Sequence, residues 1–302
     1  MKNTKLFVKN LSNQQPTKDI TEDDIRYKLK KSITKKEIKI KISDDVVFSK
    51  NSIPVIAGPN GVENRKLIFK VASFLKKCGV KIIRGHAYKP LTFPYRSKKY
   101  LETMEEGMNW MDEVKKYHGL KVVTEVTEIR HLDRINQTAD ILQIGSRNMQ
   151  NLELLREIAL TKKPIILKRH FGSSLRDMLG AAEHILVEGN YNLIFCERGV
   201  SAPHTHKATS RFMLDIQGIV ALRELTNFPV VSDPSHASFW APWVQPLAKA
   251  SVAAGCNGLI IETHPDPKNS AVDPLQPLNF RQFKTLYNDL KKMAKIMGKK
   301  IL

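Results

Sequence analysis

Short apolar runs recur along the chain from residue 54 onwards, and each is followed by a segment whose apolar residues have helical spacing. The eight runs are Val55-Ile56, Ile82-Ile83, Val122-Val123, Ile141-Leu142, Ile165-Leu167, Leu193-Phe195, Val230-Val231 and Leu259-Ile261. Apolar runs of this length, without polar alternation, are typical of strands that are buried on both faces. The pattern therefore predicts an α/β fold in which strands and helices alternate.

The segments between the runs carry amphipathic stripes. One stripe after the first run consists of Leu67, Ile68, Val71, Phe74 and Leu75, and another after the last run consists of Phe280, Phe283, Leu286, Leu290 and Met293. These spacings match one face of an α-helix. Eight strand–helix units predict a closed (β/α)8 TIM barrel, and an open doubly wound sheet is the alternative.

The first fifty residues follow a different pattern. Thr21 and Asp24 form a capping arrangement that predicts a short helix. Apolar and polar residues alternate over residues 38–42, and the turn Ser43-Asp44-Asp45 is followed by the apolar residues Val46-Val47-Phe48, which together predict a hairpin. We therefore predict that residues 1–43 form a short N-terminal extension and that residues 44–302 form the barrel. The hairpin is expected to cover the bottom of the barrel.

Composition excludes several classes of protein. A chain of 302 residues with 42% hydrophobic content can bury a large core. No stretch approaches the roughly 18 consecutive apolar residues of a membrane span, and the polar first twenty residues lack a secretory signal. Cys78, Cys196 and Cys256 are widely separated and form no CxxC motif. We therefore expect a cytoplasmic protein with neither a disulfide framework nor a structural zinc site.

The formal net charge of +19 has two interpretations. A basic surface attracts nucleic acid, but the positive charge is spread along the chain and no nucleic-acid-binding motif is present. A positive field also favours an enzyme that acts on anionic substrates. The second interpretation is favoured, with no nucleic acid and no membrane as partners.

Polar residues follow nearly every apolar run. The segments are Gly58-Pro59-Asn60, Arg84-Gly85-His86, Thr124-Glu125, Gly145-Ser146-Arg147, Lys168-Arg169, Glu197-Arg198-Gly199, Asp233-Pro234-Ser235-His236 and Glu262-Thr263-His264. The carboxyl ends of the strands in a (β/α)8 barrel meet at one mouth, where active sites lie. The pattern therefore predicts that these scattered residues form one site.

The predicted site contains two kinds of chemistry. Its five cations are Arg84, Lys89, Arg147, Lys168 and Arg198. Such a set suits a ligand with a phosphate and a carboxylate, because guanidinium groups bind both bidentately. His236, Glu262 and, further on, Asp273 offer an imidazole and two carboxylates, a mixture that suits a divalent metal. Each of these residues alone is better explained by a salt bridge or a structural hydrogen bond.

Seven collinear motifs resemble the 3-deoxy-D-arabino-heptulosonate-7-phosphate (DAHP) synthases of the microbial type Iβ branch, relatives of the 3-deoxy-octulosonate-8-phosphate synthases. They are Ala57-Gly58-Pro59 with Glu63, Arg84-Gly85-His86-Ala87-Tyr88-Lys89-Pro90, Gln143-Ile144-Gly145-Ser146-Arg147-Asn148-Met149-Gln150-Asn151, Leu167-Lys168-Arg169, Cys196-Glu197-Arg198-Gly199, Asp233-Pro234-Ser235-His236-Ala237 and Glu262-Thr263-His264-Pro265-Asp266-Pro267. The run from Gly145 to Gln150 favours the heptulosonate branch, which belongs to the shikimate pathway of aromatic amino-acid biosynthesis.

The resemblance implies that phosphoenolpyruvate (PEP) condenses with a phosphorylated aldose, such as erythrose 4-phosphate, and that inorganic phosphate is released. Arg147 and Arg198 would hold the phosphate of PEP, while Arg84, Lys89 and Lys168 would surround its carboxylate and reacting carbons. Lys89, His236 and Asn60 are the predicted catalytic residues. The family's divalent metal, which polarises the aldehyde, would be bound by His236, Glu262 and Asp273 together with a cysteine. The resemblance also implies a homo-oligomer.

The chain departs from the family pattern at the metal site. Asn60 stands where the family has the cysteine ligand, and an amide oxygen is a weaker ligand than a thiolate for such a metal. Pro274 follows Asp273 where the family tends to have glycine. We therefore expect either no metal requirement or weak binding of a divalent metal, and we favour the former.

Further departures lie on the side expected to face the aldehyde. Leu91 replaces an arginine of the family, the segment Val200-Ser201-Ala202-Pro203 lacks another, and the basic stretch after His236 is replaced by Phe239-Trp240-Ala241-Pro242-Trp243. Arg96, His204, His206 or Lys207 could compensate. The alternatives are a different aldehyde acceptor or an inactive PEP-binding homologue. The short extension also predicts no feedback control by an aromatic amino acid.

Overall fold

The computed structural model describes residues 36–90, 102–202 and 212–302. Its strands are β1 Ile40–Ser43, β2 Val46–Phe48, β3 Ser52–Ile53, β4 Val55–Gly58, β5 Ile82–Arg84, β6 Lys121–Glu125, β7 Ile141–Ile144, β8 Ile165–Lys168, β9 Leu193–Glu197, β10 Val230–Ser232, β11 Gly258–Glu262 and β12 Lys300–Ile301. Its α-helices are α1 Arg65–Cys78, α2 Met104–His118, α3 Leu132–Thr138, α4 Leu152–Leu160, α5 Leu175–Leu186, α6 Ile216–Leu225, α7 Pro234–Ser238, α8 Ala241–Ala253 and α9 Phe280–Ile296. The predicted helix near Thr21 lies outside the described residues.

Strands β4 to β11 close into a barrel in which neighbouring strands are parallel. The barrel closes where β11 pairs with β4, with Ile260 opposite Ile56, and the other strands follow in chain order. Helices connect successive strands, which confirms the predicted (β/α)8 TIM barrel. All eight predicted apolar runs lie within these strands, because parallel strands covered by helices are buried on both faces.

Two apolar layers hold the barrel together. The outward residues of the strands pack against the buried stripes of the helices, such as Ile68, Val71 and Leu75 of α1. Most of the α-helices begin with a side-chain cap, and at the start of α1 the side chain of Asn64 accepts a hydrogen bond from the backbone of Leu67. Within the described ranges, no helix is both long enough and apolar enough to cross a membrane.

A hairpin formed by β1 and β2 covers the bottom of the barrel. Ile40 pairs with Phe48 across the hairpin, and both side chains, together with Val46, are buried against the inward residues of the barrel strands. The bottom layer thus excludes water from the start of the strands. The predicted boundary between residues 43 and 44 falls at the turn of this hairpin and stays a prediction.

Candidate active site

A charged layer lies inside the barrel, above the apolar layer. The inward apolar residues are Ile56, Ile82, Val123, Ile141, Ile166, Ile194, Val231 and Ile260. Side chains alternate along a strand, so the residue two positions further also points inward. These residues are Gly58, Arg84, Glu125, Gln143, Lys168, Cys196, Asp233 and Glu262, and the six polar ones among them are buried. One turn of the barrel therefore carries two cations and three carboxylates.

Arg84 is the most deeply buried cation of this layer, with no exposed surface. Its Nη2 donates a hydrogen bond of 2.5 Å to Oδ1 of Asn60, and its Nη1 lies 3.9 Å from Oε2 of Glu262. Its Nε and Nη1 atoms find no hydrogen-bond acceptor among the described residues. A buried guanidinium with unsatisfied donors is unfavourable unless a ligand accepts from it. This geometry indicates an anion-binding site.

His86 is held as a neutral ring next to Arg84. Burial, reinforced by the positive charges of Arg84 and Lys89, lowers its pKa well below the usual value. The backbone N–H of Glu125 donates to Nδ1 of His86 over 2.8 Å, so Nε2 carries the ring hydrogen. The Gln143 amide lies 3.4 Å from that Nε2. Assigning the amide with its oxygen towards His86 gives the ring N–H an acceptor.

Lys89 and Glu125 form a buried ion pair. The Nζ of Lys89 donates to Oε2 of Glu125 over 2.6 Å, and both residues are at most 9% exposed. Burial alone would raise the pKa of Glu125, but the charge and hydrogen bond of Lys89 hold it below its usual value. Glu125 therefore holds the ammonium group of Lys89 in place inside the barrel.

Lys168, Asp233 and His236 form a second charged group across the barrel. Lys168 donates to Oδ2 of Asp233, and Nδ1 of His236 lies 2.9 Å from the same oxygen. Burial opposes ionisation of Asp233, yet His236 and Lys168 hold its pKa well below the usual value. Burial lowers the pKa of His236 well below its usual value, although Asp233 acts in the opposite direction. Nδ1 of the neutral ring thus donates to Asp233, and Nε2 carries the lone pair of the ring.

Glu262 faces that lone pair. Its Oε2 lies 3.7 Å from Nε2 of His236 and accepts a hydrogen bond of 2.5 Å from the Gln276 side chain. Burial raises the pKa of Glu262 to about 8, and the nearby Arg84 counteracts this only in part. A carboxyl and an imidazole at this separation could hold one side of a divalent cation.

The third predicted metal ligand, Asp273, is hydrogen-bonded to Asn60. Oδ2 of Asp273 accepts from Nδ2 of Asn60 over 2.9 Å, while the amide oxygen of Asn60 accepts from Arg84. Both ends of the amide are therefore used within the protein. In the part of the chain that the structure describes, no three His, Cys, Asp or Glu side chains converge as a metal-binding group. The donor set offers a pair of ligands and does not fit a tightly held metal.

The remaining predicted cations occupy different environments. Arg198 is 6% exposed and stacks on the ring of Phe212, 4.4 Å from its centroid. Arg147 is exposed and lies in the short 3₁₀ segment after β7, near enough to lower the pKa of Glu125. Arg169, which follows Lys168, is instead bound by the carboxylates of Glu197 and Asp215. Leu91, Arg96, Pro203, His204, His206 and Lys207 lie outside the described residues.

Sequence reasoning gave no role to three buried residues of the site: Glu125, Gln143 and Asp233. Glu125 and Asp233 belong to the strand-end segments predicted to form the site, and Gln143 belongs to a family motif, but none is among the predicted catalytic, substrate-binding or metal-binding residues. The signal that finds them is the alternation within each strand, since each lies two positions beyond an inward apolar residue.

The fold and this buried charged layer define a (β/α)8-barrel protein with a site for an anionic ligand at the mouth of the barrel. The chain belongs to the DAHP synthetase I family, which it matches over residues 34–299. The predicted family resemblance is therefore confirmed.

Relatives support this membership. The phospho-2-dehydro-3-deoxyheptonate aldolase of Thermotoga maritima is 38% identical over 257 residues, which are 85% of this chain and 74% of that protein. The 2-dehydro-3-deoxyphosphooctonate aldolase of Methylococcus capsulatus is 31% identical over 235 residues, 72% of this chain and 81% of that protein.

Solved structures agree with the sequence comparison. The crystal structure of the Thermotoga maritima phospho-2-dehydro-3-deoxyheptonate aldolase (DAHP synthase) has a TM-score of 0.85 at 35% identity and covers 91% of this chain and 78% of that one. A truncated form of the 3-deoxy-D-arabino-heptulosonate 7-phosphate synthase from the same organism has a TM-score of 0.84 at 34% identity. It covers 92% of this chain and 100% of that one.

Proposed function

We propose that this protein catalyses the condensation of PEP with a phosphorylated aldose, giving a 3-deoxy-ulosonate phosphate and inorganic phosphate. One observation carries the proposal: Arg84 is fully buried, and its Nε and Nη1 donors find no acceptor among the described residues. The charges of Arg84, Lys89 and Lys168 all act on His86, so the three cations share one region of the site. The carboxylate and phosphate of PEP supply the anionic oxygens that such a site requires.

The acceptor follows from counting carbons. PEP contributes three carbons, so a heptonate requires a four-carbon aldose and an octonate requires a five-carbon one. The relatives carry both product names, at 38% and 31% identity respectively. We propose erythrose 4-phosphate as the acceptor. A different kind of acceptor and an inactive homologue are not favoured by these relatives.

The charged residues at the mouth of the barrel can bind PEP and assist its attack on the aldehyde. Arg84 and Lys168 bind and orient the carboxylate of PEP, while Arg198 and Arg147 bind its phosphate. When C3 of PEP attacks the aldehyde carbon, Lys89 donates a proton to the aldehyde oxygen, and Glu125 stabilises the ammonium before that transfer.

The second half of the reaction needs a base for water. The lone pair on Nε2 of His236 accepts a proton from the water that adds to C2, because Asp233 fixes the hydrogen on Nδ1. The tetrahedral adduct then breaks its C2–O bond to phosphate, and the C2 hydroxyl passes its proton to the departing phosphate and becomes the ketone. Asn60 acts as a positioning residue between Arg84 and Asp273.

The proposed activity is tested by incubating the protein with PEP and either erythrose 4-phosphate or arabinose 5-phosphate. We expect release of inorganic phosphate and a seven-carbon product with the tetrose, measured by a phosphate assay and by mass spectrometry. A higher kcat/KM with arabinose 5-phosphate than with erythrose 4-phosphate would show that the protein makes the octonate and not the heptonate. Absence of phosphate release with both sugars would refute the proposed function.

We also propose that turnover does not require a metal. Asn60 replaces the expected cysteine and uses both ends of its amide on Arg84 and Asp273. Bound at His236 and Glu262, a divalent ion would supply Lewis-acid polarisation of the aldehyde. The donor set described above holds too few ligands for this to be a tight site.

The variant Asn60→Cys tests this proposal. We expect wild-type activity to stay within about twofold after treatment with a chelator, because no protein thiolate anchors a metal there. The thiolate in Asn60→Cys should bind Zn²⁺ roughly tenfold or more tightly than the wild type, as measured by metal titration. Loss of wild-type turnover on chelation, with recovery on adding Mn²⁺, would contradict metal independence.

We propose a cytoplasmic enzyme, since Cys78, Cys196 and Cys256 are all free thiols. We propose a homo-oligomer on the strength of the family resemblance alone, and light scattering measures its size.

A further inference from the structure

Three side chains stack at the mouth of the barrel: Phe171 from the segment after β8, and Arg198 and Phe212 from the segment between β9 and α6. The guanidinium of Arg198 lies over the ring of Phe212 at 4.4 Å from the centroid. The ring of Phe212 stacks on that of Phe171, with centroids 5.1 Å apart and an interplanar angle of 23°. The result is a column of one cation and two rings, which we call the Arg198 column.

Backbone hydrogen bonds fix the segments that form this column. The N–H of Phe212 donates to the carbonyl of Ala237 over 3.0 Å, and the N–H of Ser201 donates to the carbonyl of Phe171 over 2.7 Å. Val200 and Met213 exchange two hydrogen bonds of 3.0 Å. The column is therefore hydrogen-bonded through its backbone to the loop after β8 and to α7.

Gly199 allows the close approach of these segments. It has a φ of +93°, and a Cβ there would lie 2.9 Å from the Cβ of Phe212 and 3.0 Å from that of Ala237. A side chain at residue 199 would push Phe212 away from the cation. Glycine at residue 199 therefore permits the stacked arrangement, and a larger residue would disrupt it.

We propose that Phe212, supported by Phe171, is a positioning residue that orients Arg198 for the phosphate of PEP. This inference rests on the proposed function. An aromatic face attracts a guanidinium through its quadrupole and fixes the plane of the group, while it accepts no hydrogen bond from the N–H edge. It adds no negative charge that would compete with a phosphate.

The neighbouring Arg169 shows the opposite arrangement. Its Nη1 donates to the carboxylates of Glu197 and Asp215, over 3.0 Å and 2.8 Å. Two carboxylates neutralise that guanidinium and use its donors, so Arg169 serves the structure. The ring of Phe212, unlike these carboxylates, contacts the face of a guanidinium and accepts none of its N–H groups.

The inference is tested with Phe212→Leu, which keeps an apolar side chain but removes the π face. We expect the KM for PEP to rise about three- to tenfold, with kcat and the KM for the aldose phosphate within twofold of wild type. Phe212→Tyr should restore the wild-type KM. Phe171→Leu, which leaves the contact between Arg198 and Phe212 in place, should give a smaller rise.

A matched control is Phe74→Leu, which removes a ring stacked on Phe280 between α1 and α9, away from the barrel mouth. It should leave the KM for PEP unchanged. Equal rises in both KM values, or a wild-type KM for PEP in Phe212→Leu, would overturn the inference while the proposed function stands. If Phe212→Leu does not fold, an unchanged KM for PEP in Phe171→Leu overturns it instead. Absence of PEP turnover in the wild type itself would instead remove the proposed function.

Discussion

Replacing Arg84 by methionine is expected to lower kcat/KM for PEP by about a thousandfold. Each charge-assisted hydrogen bond to a ligand contributes about 1.5–3 kcal/mol, and Arg84 offers two donors, Nε and Nη1, that find no acceptor among the described residues. Losing both therefore removes about 3–6 kcal/mol of binding. The measurement is the initial rate of phosphate release over a range of PEP concentrations.

The protein should remain folded after this change. Methionine is apolar and of similar length. Burial already raises the pKa of Glu262 to about 8, and removing the nearby arginine raises it further, which favours the uncharged carboxyl. Arg84→Lys should fall between wild type and Arg84→Met, because an ammonium keeps the charge but loses the planar fork. Arg281→Met, on the exposed face of α9, is the matched control and should have no effect. A loss of less than tenfold in Arg84→Met would show that PEP binds elsewhere.

The loss of binding has a second readout. Wild-type protein should be stabilised thermally by PEP, since a ligand that binds only the folded state raises the unfolding temperature. Arg84→Met should lose that shift at the same concentration of PEP. A retained shift together with lost turnover would assign Arg84 to a catalytic step and not to binding.

The barrel itself is predictable because its strands are buried on both faces. Runs such as Ile82-Ile83 and Leu259-Ile261 contain only apolar residues, so each strand is easy to recognise. The polar residues that follow each run lie at the carboxyl end of the strand, and these ends form the mouth of the barrel. This is why the order of residues along the chain is enough to assign Arg84, Lys168 and Glu262 to one rim.

Side-chain pairing cannot be predicted in the same way. Lys168 meets Asp233 from the strand two places away, across β9, and Lys89 reaches Glu125 from the loop after β5. Both pairs depend on strand register and on the rotamers of long side chains, which a linear sequence does not specify. The same holds for Asn60, whose amide contacts Arg84 and Asp273, residues far apart in the chain.

Alternation within the strands recovers part of this pairing. Asp233 is the first residue of a motif that ends in His236, and its inward direction follows from Val231 two positions earlier. Applying the same step to Val123 gives Glu125. The exposed position of Arg147, by contrast, follows from a 3₁₀ segment that has no clear sequence signal.

The second large effect is expected for Gly145→Ala. The backbone of Gly145, with φ of −65°, suits alanine, but a Cβ there would lie 1.9 Å from Oε1 of Glu125. The carboxylate must therefore move away, and its 2.6 Å bond to Lys89 would break. Separating a buried ion pair is unfavourable by about 3–5 kcal/mol. We expect kcat/KM to fall by at least about a hundredfold and the melting temperature to fall by several degrees.

A double substitution separates this cause from a general loss of stability. Glu125→Asp shortens the carboxylate by one methylene, so in the Gly145→Ala background it should recover part of the lost activity, while alone it should reduce activity. Gly180→Ala is the matched control: a Cβ there meets nothing within 4 Å, and alanine in the middle of α5 should stabilise the protein by about 0.5–1 kcal/mol. Wild-type activity in Gly145→Ala would mean that the ion pair of Glu125 with Lys89 does not take part in the reaction.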